Sequence, residues 1–200
     1  MKNTKLFILA ICTILVLVLL SFILYIFILT PKADKIKSND LPNSYFISQF
    51  TYIDYQEHND CSAYATAYVL RYLGENIKGT ELYSQMKRNF SIMTAHSIVK
   101  AVKNRGYSAK AYHGSIDSLK QRLTQGTPII CFIRNQNDTH YVVVVGYDND
   151  YIYMVDSIKN NANVEVTNLF NRKESIADFE MLWNTNLYFV NNIFIIINNC

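Results

Sequence analysis

Residues 140–156, HYVVVVGYDNDYIYMVD, predict an antiparallel β-hairpin. Two apolar runs, 140–147 and 151–155, are rich in Val, Ile and Tyr, which is typical of β-strands. Between them, Asp148-Asn149-Asp150 is a tight-turn signal, because Asp and Asn hydrogen-bond to their own local backbone. The two strands are therefore expected to pair directly with one another.

This hairpin has a polar residue at each outer end, His140 and Asp156. If the turn is centred on Asn149, Val142 lies opposite Asp156. Side chains alternate along a strand, so His140 lies on the same face as Val142. The two polar residues then become diagonal neighbours, about 7–8 Å apart at the backbone and within side-chain reach. A register changed by one residue would place them on opposite faces, so the hypothesis depends on the turn.

The rest of the chain combines helical and strand patterns. Helices are predicted where apolar residues recur at helical spacing between capping residues and glycines, and strands where short apolar runs occur. The predicted helices are 60–74, 80–89, 94–106, 115–125 and 176–183, and the further strands are 107–112, 129–133, 164–166 and 186–197. Helices first and antiparallel strands later predict an α+β domain.

Cys61 is a candidate nucleophile because of its place at the start of a predicted helix. It directly follows Asp60, a typical N-cap residue. The unpaired N–H groups of a first helical turn favour negative charge, and the thiolate is the reactive form of cysteine. A purely structural cysteine is more typical of the apolar stripe in the middle of a helix.

A catalytic thiol also needs a base and a group that stabilises the oxyanion. Of the four histidines, three are predicted to be exposed, namely His58, His96 and His113, whereas His140 opens an apolar strand. Asp156 could accept a hydrogen bond from the His140 imidazole and fix its tautomer. The side-chain amide of Gln56 and the backbone N–H of Cys61 are the candidate oxyanion donors.

The segments around these residues resemble one family, the C39-like, bacteriocin-processing cysteine peptidases of the papain-like superfamily. Residues 56–65, QEHNDCSAYA, resemble its nucleophile motif. Residues 126–133, 140–146 and 155–157 resemble its downstream signature. The resemblance extends over about residues 45–197. In two respects the chain departs from the family pattern: Ser62 replaces the usual glycine, and Gln56 is one residue closer to Cys61 than in many members.

The resemblance implies a papain-like fold, in which a helix led by the cysteine packs on an antiparallel sheet that carries His and Asp. It also implies thiol-dependent hydrolysis of peptide or related amide bonds. Cys61 would then be the nucleophile, His140 the base, Asp156 the residue that orients the base and Gln56 the oxyanion donor. Two alternatives stay open: a catalytically silent papain-like module that binds peptides, and an acyl-transfer enzyme of the transglutaminase-like kind.

The N-terminal part of the chain predicts a membrane anchor. Residues 6–30 are almost wholly apolar and carry no charge, and the run is longer than the roughly 20 residues that cross a bilayer. It lacks the small-residue cleavage site of a signal peptide. We therefore predict a transmembrane anchor at 1–30, a stalk at 31–44 and a peptidase domain at 45–200. The domain is expected at the cell membrane as a single-pass protein, on the extracytoplasmic side.

Composition limits the remaining partners. The formal net charge is +3 and the basic residues are scattered, so no nucleic-acid surface is predicted. Histidines and cysteines lack paired metal-ligand spacing, and no Gly-rich phosphate loop occurs, so neither a metal nor a cofactor is expected. Four cysteines do not predict a disulfide scaffold, although a Cys131–Cys200 bridge stays open. The expected partner is a peptide or protein substrate.

Overall fold

The computed structural model describes residues 2–29, 31–34, 41–58, 60–89, 93–135, 138–167, 169–186 and 190–200. They divide into two compact units, Met1–Pro31 and Lys32–Cys200. The helices are α1 (Lys2–Leu29), α2 (Cys61–Tyr72), α3 (Gly79–Asn89), α4 (Ala95–Lys103), α5 (Ile116–Leu123) and α6 (Ile176–Trp183). The strands are β1 (Lys32–Ala33), β2 (Tyr45–Phe46), β3 (Ser108–His113), β4 (Ile129–Asn135), β5 (Asp138–Tyr147), β6 (Tyr151–Val155), β7 (Arg172–Ser175) and β8 (Ile193–Asn198).

One sheet organises the second unit. Its strands follow the order β1-β3-β8-β4-β5-β6-β7, and β2 pairs with β5. Strands β1 and β3 run parallel, while the other neighbours run antiparallel. The predicted α+β class is confirmed, but the sheet is mixed rather than wholly antiparallel, because the short N-terminal strand adds to its edge in the parallel direction.

The register of the β5–β6 hairpin differs between its two ends. Near the turn, Tyr147 pairs with Ile152, whereas a turn centred on Asn149 predicts that it pairs with Tyr151. A bulge between Val144 and Gly146 then shifts the register, so that Val143 pairs with Val155 as predicted. A β-bulge adds one residue to one strand and re-aims the side chains beyond it. The turn was therefore predicted wrongly, while the pairing at the outer end was predicted correctly.

Helix α2 is buried for most of its length, from Ser62 to Leu70. Its alanines, among them Ala63 and Ala67, are small enough to let the helix backbone approach both β5 and α3. Gly79, at the start of α3, lies against the ring of Tyr64, and a Cβ at this position would be only 2.5 Å from Cγ of that ring. Tight packing therefore fixes the helix that begins at Cys61.

In the second half of the chain, one predicted strand is absent, one observed strand was not predicted, and the strand predicted at 186–197 is observed at Ile193–Asn198. Residues 164–166 form no strand, and β7 lies instead at Arg172–Ser175, paired with β6. The sequence of β7, Arg-Lys-Glu-Ser, has no apolar alternation. Pattern analysis therefore has no signal for it, because its position depends on backbone hydrogen bonds to a neighbouring strand and not on its own hydrophobicity.

The segment predicted as a stalk joins the sheet at its beginning. Lys32 and Ala33 pair with β3, and the backbone N–H of Asp34 donates to the carbonyl of His113 at 2.8 Å. The guanidinium of Arg122 donates to both carboxylate oxygens of Asp34, at 2.9 and 2.7 Å. The Asp34 side chain is only 1% exposed. The domain boundary predicted at Tyr45 therefore leaves out a short segment that belongs to the sheet.

Helix α1 carries exposed apolar side chains, including Leu15, Leu17 and Leu20. Within the part of the chain that the structure describes, no helix combines the length and the apolar character needed to cross a membrane. The transmembrane helix predicted at residues 6–30 is therefore not confirmed.

Candidate active site

His140 and Asp156 form a buried pair at the outer end of the hairpin. Nε2 of His140 lies 2.7 Å from Oδ1 of Asp156, and the two side chains are 2% and 0% exposed. The bulge in β5 makes this contact possible, because it restores the register that places both side chains on one face. With Nε2 turned to the carboxylate, Nδ1 is the ring nitrogen left for a nucleophile.

The Asp156 carboxylate accepts three further hydrogen bonds. Oδ1 accepts from the backbone N–H of Ile158 at 2.8 Å. Oδ2 accepts from Nδ2 of Asn161 at 3.0 Å and from Nη1 of Arg172 at 2.9 Å. Asn171 holds the backbone of the same residue, with Oδ1 accepting from Asp156 N–H and Nδ2 donating to Asp156 C=O. The carboxylate is thus fixed in position and fully hydrogen-bonded.

These contacts keep both members of the pair charged. Burial by itself would lower the pKa of His140, but the hydrogen bond that His140 donates to Asp156 and the neighbouring Cys61 together raise it to about 9. Burial would raise the pKa of Asp156, and the hydrogen bond and charge of His140, with Ile158 and Asn161, lower it below its usual value. An imidazolium beside a carboxylate is therefore the form present at neutral pH.

Cys61 begins α2 and lies beside His140 in the wall of a cleft of about 210 Å³. Asp60 occupies the N-cap position as predicted, but its buried side chain makes no capping hydrogen bond. The Asp60 carbonyl accepts from the N–H of Ala63 at 2.9 Å, while the Asp60 side chain leaves the N–H of Cys61, at the positive end of the helix, without a cap. Burial raises the pKa of Asp60 above its usual value.

The remaining cleft walls mix apolar and polar groups. Met93, Phe132 and Ile158 provide apolar surface beside Cys61. Asn135 and Asp138 come from the β4–β5 end of the sheet and add polar groups. A cleft of this kind, with a few polar groups on largely apolar walls, is typical of sites that bind an extended organic ligand.

Gln56 reaches the same cleft and is held in one orientation. Its Nε2 donates to the carbonyl of His58 at 2.6 Å, and its Oε1 accepts from the hydroxyl of Ser157 at 2.6 Å. Its backbone N–H also donates to the Ser157 carbonyl at 2.9 Å. An amide nitrogen carries two hydrogens, so the second can still donate into the cleft.

The structure brings together Gln56, Cys61, His140 and Asp156, the four site residues proposed from sequence, around one cleft. The other histidines lie elsewhere: His58 and His96 are exposed, and Nδ1 of His113 is turned to the carbonyl of Asn191. All four cysteines are free, so the Cys131–Cys200 bridge does not form.

Sequence reasoning missed the residues that surround Asp156, namely Ser157, Asn161, Asn171 and Arg172. Ser157 directly follows Asp156 and could have been suspected from that position. The others lie in a 3-10 turn, a loop and the unpredicted strand β7. Nothing in their local sequence marks them as neighbours of a site.

Comparison with known proteins gives a consistent result. A family model described as the Peptidase C39 family matches residues 49–192. The double glycine motif protease from an AMS/PCAT transporter, solved in complex with a leader peptide, is similar in fold: the TM-score is 0.57 and the identity 21%, over 81% of this chain and 100% of that chain. The peptidase domain of Streptococcus ComA is also similar in fold. Its TM-score is 0.57 and its identity 20%, over 76% of this chain and 100% of that chain. No curated protein sequence matches the chain.

Proposed function

The chain belongs to the peptidase C39 family, and on that basis we propose that it is a cysteine peptidase that hydrolyses peptide or related amide bonds. Cys61 is the proposed nucleophile, His140 the proposed base and Asp156 the residue that orients the base. The observation that carries the proposal is the buried, charged His140–Asp156 pair beside a cysteine that begins a helix. The type of reaction is proposed from the family, and the cleft beside Cys61 is the proposed binding place for the substrate.

The proposed reaction follows from the positions of these groups. The Cys61 thiolate attacks the carbonyl carbon of the scissile bond and forms a tetrahedral intermediate. The imidazolium of His140 then gives its proton to the departing amine as the C–N bond breaks, which leaves a thioester on Cys61. A water molecule attacks this thioester and gives a proton to His140, the C–S bond breaks, and the acid product is released as the Cys61 thiolate and the His140 imidazolium are restored.

Charge that develops on the carbonyl oxygen needs hydrogen-bond donors. The N–H of Cys61 is one proposed donor, because the Asp60 side chain does not cap the first turn of α2. The Gln56 amide is the other, with its carbonyl end held by Ser157. Both donors are fixed before substrate binds, as electrostatic stabilisation of a transition state requires.

The proposed substrate is a peptide segment that lies along the cleft. One similar structure was solved with a leader peptide and is described as a double glycine motif protease. We propose the same class of substrate for this chain, and a synthetic leader peptide with two glycines before the cut is the first substrate to test. The apolar surface of Met93 and Phe132 would contact side chains of such a peptide.

The test compares cleavage of that peptide by the wild-type chain, Cys61→Ala and the matched control Cys200→Ala, whose cysteine is exposed and lies outside the cleft. Mass spectrometry of the products should show one cut with the wild type and the control, and none with Cys61→Ala. Equal cleavage by Cys61→Ala would contradict the proposal. A wild-type chain that binds the peptide without cutting it would favour the silent, peptide-binding module.

Acyl transfer is the second alternative, because the same thioester can be opened by an amine instead of water. Adding a primary amine at increasing concentration separates the two reactions. A peptidase gives the free carboxylate as its main product at all amine concentrations. A transglutaminase-like enzyme gives the amide product, in proportion to the amine.

The location of the domain is a separate proposal that rests on the sequence of residues 6–30 alone. We propose attachment to the cell membrane with the catalytic domain on the outside. A membrane-impermeant protease added to intact cells should then remove the domain. Protection that is lost only on lysis would place the domain in the cytoplasm, and recovery of the full chain without membranes would contradict attachment.

A further inference from the structure

Arg172 is a buried cation next to the candidate active site that the proposed mechanism does not use. Its side chain is 8% exposed, and it donates from Nη1 to Oδ2 of Asp156 at 2.9 Å. On its other side, Nε donates to Oε1 of Glu174 at 2.8 Å. One guanidinium therefore bridges two carboxylates, of which only Asp156 contacts the base.

The sheet explains why Arg172 reaches Asp156. Arg172 in β7 lies opposite Met154 in β6. Asp156 is two residues further along the chain, so it shares a face with Met154, and Arg172 becomes its diagonal neighbour. His140 reaches the same carboxylate from β5 on the opposite side. Asp156 is thus held between two cations, each supplied by a neighbouring strand.

The two cations have opposite effects on the reaction. Asp156 stabilises the imidazolium of His140, and a second cation on the same carboxylate offsets part of that stabilisation. Glu174 in turn offsets part of the charge of Arg172, because it accepts from the same guanidinium. The charges alternate along a row of four residues, His140, Asp156, Arg172 and Glu174, and the end of this row formed by Arg172 and Glu174 can be altered by substitution in β7.

We propose that Arg172 is a positioning residue that aims the Asp156 carboxylate at His140 and limits how strongly it holds the imidazolium, and that Glu174 moderates this effect. The inference rests on the proposed function, since it assumes that the Cys61–His140 pair performs the chemistry. A base whose charged form is held too strongly would be a poor proton donor to the leaving amine. Arg172 would keep the proton on His140 transferable.

Other ionisable groups that face this row are few among the described residues. Cys61 of α2 contacts His140, and the Tyr141 hydroxyl of β5 lies near Cys61 with its pKa raised by burial. Asp60 precedes Cys61 at the start of α2. None of these three contacts Arg172 or Glu174 through a hydrogen bond that the structure describes, so substitution in β7 alters the row from one end only.

The experiment measures alkylation of Cys61 by iodoacetamide as a function of pH, which needs no substrate. The full chain carries Cys12→Ser and Cys200→Ser, because these two cysteines are exposed and would also be alkylated. Cys131 is kept, because it is fully buried. In this background the rate should change as His140 loses its proton near pH 9. Arg172→Gln should move that step upward by on the order of one pH unit, and Glu174→Gln should move it downward by less.

Arg172→Lys is the control for charge, because it keeps the positive charge beside Asp156 and should move the step by less than Arg172→Gln does. If Arg172 and Glu174 had a purely structural role, Arg172→Gln and Glu174→Gln would reduce the folded fraction but would not move the step in opposite directions. Unchanged steps in both Gln variants, or shifts in the same direction, would overturn the inference. If Arg172→Gln does not fold, the downward shift of Glu174→Gln decides alone. A background in which Cys61 reacts no faster than a free cysteine at mildly acidic pH would overturn the proposed function instead.

Discussion

At the scale of single residues, the charged His140–Asp156 pair determines how the site responds to pH. The pKa of His140 is raised to about 9, so its imidazolium is present below that pH and is lost as the pH rises through it. An ion pair between thiolate and imidazolium should therefore fail on the alkaline side. We expect peptide cleavage at saturating substrate to fall above about pH 9, at pH values where circular dichroism still shows a folded chain. A rate that keeps rising to pH 10.5 would contradict the assignment of His140.

Substitution of Asp156 separates orientation from charge. Asp156→Asn keeps a carbonyl oxygen for His140 but places an NH₂ group before the donors Asn161 and Arg172. We expect it to retain more activity than Asp156→Ala, and both to lose stability, because breaking a buried charge pair costs about 3–5 kcal/mol. Cleavage rates must be compared at equal folded fraction, measured by urea titration. Full activity in Asp156→Ala would mean that another residue orients the base.

Substitution of Ser157 tests Gln56 as the proposed oxyanion donor without changing Gln56 itself. Ser157→Ala removes the hydroxyl that holds Oε1 of Gln56, so the amide can rotate away from the cleft. Loss of a whole oxyanion donor lowers kcat by about 10²–10³-fold, and we expect a smaller decrease here with KM little changed. Ser157→Thr keeps the hydroxyl and serves as the control. An equal decrease in both variants would point to packing instead of amide orientation.

At the scale of elements, the packing of α3 against α2 stabilises the start of α2, where Cys61 lies. Gly79→Ala would place a Cβ against the buried ring of Tyr64, which cannot move without disturbing α2. Overpacking of this kind costs about 1–3 kcal/mol. We expect urea titration to show this loss in the free energy of unfolding of Gly79→Ala. The control Thr80→Ala should change the free energy of unfolding little, because the Thr80 side chain is exposed. Equal stability of the two variants would show that α3 adjusts freely.

The elements also show what local sequence can predict. Helix α6 was predicted with its observed bounds, and α4 and α5 begin directly after Thr94 and Ser115, where the helices 94–106 and 115–125 were predicted to start. These elements depend on signals within their own residues. Strand β7 depends on pairing with β6, and it brings Arg172 to the site. The sequence therefore predicted the residues that resemble a known motif and missed those that only tertiary structure brings near.

The bulge in β5 illustrates the same limit. Pairing centred on the turn would have continued a uniform register along the whole hairpin, whereas the structure shifts it between Val144 and Gly146. The predicted contact between His140 and Asp156 was thus correct for their end of the hairpin, although the turn was not. A bulge leaves no reliable mark in a run of valines, because every residue of that run suits a strand equally well.

At the scale of the whole molecule, the ion pair between Asp34 and Arg122 holds the segment around β1 against helix α5. Asp34→Asn leaves Arg122 with a neutral partner, and we expect a loss of about 1–3 kcal/mol in unfolding free energy. The Arg122→Gln variant should lose a similar amount, and the double variant less than the sum. Urea titrations of the four chains give this coupling energy. Strict additivity would mean that the pair contributes nothing to stability.

The position of β8 affects how the protein is made. β8 lies between β3 and β4, although it is synthesised after both. Ribosomes add about 5–20 residues per second, so β4 waits several seconds for the strand that will cover its edge. During that time the nascent chain presents open strand edges, which bind chaperones and also seed aggregation. Messages truncated before Ile193 should therefore yield products that quality control removes, and full-length synthesis is a condition for any soluble peptidase domain.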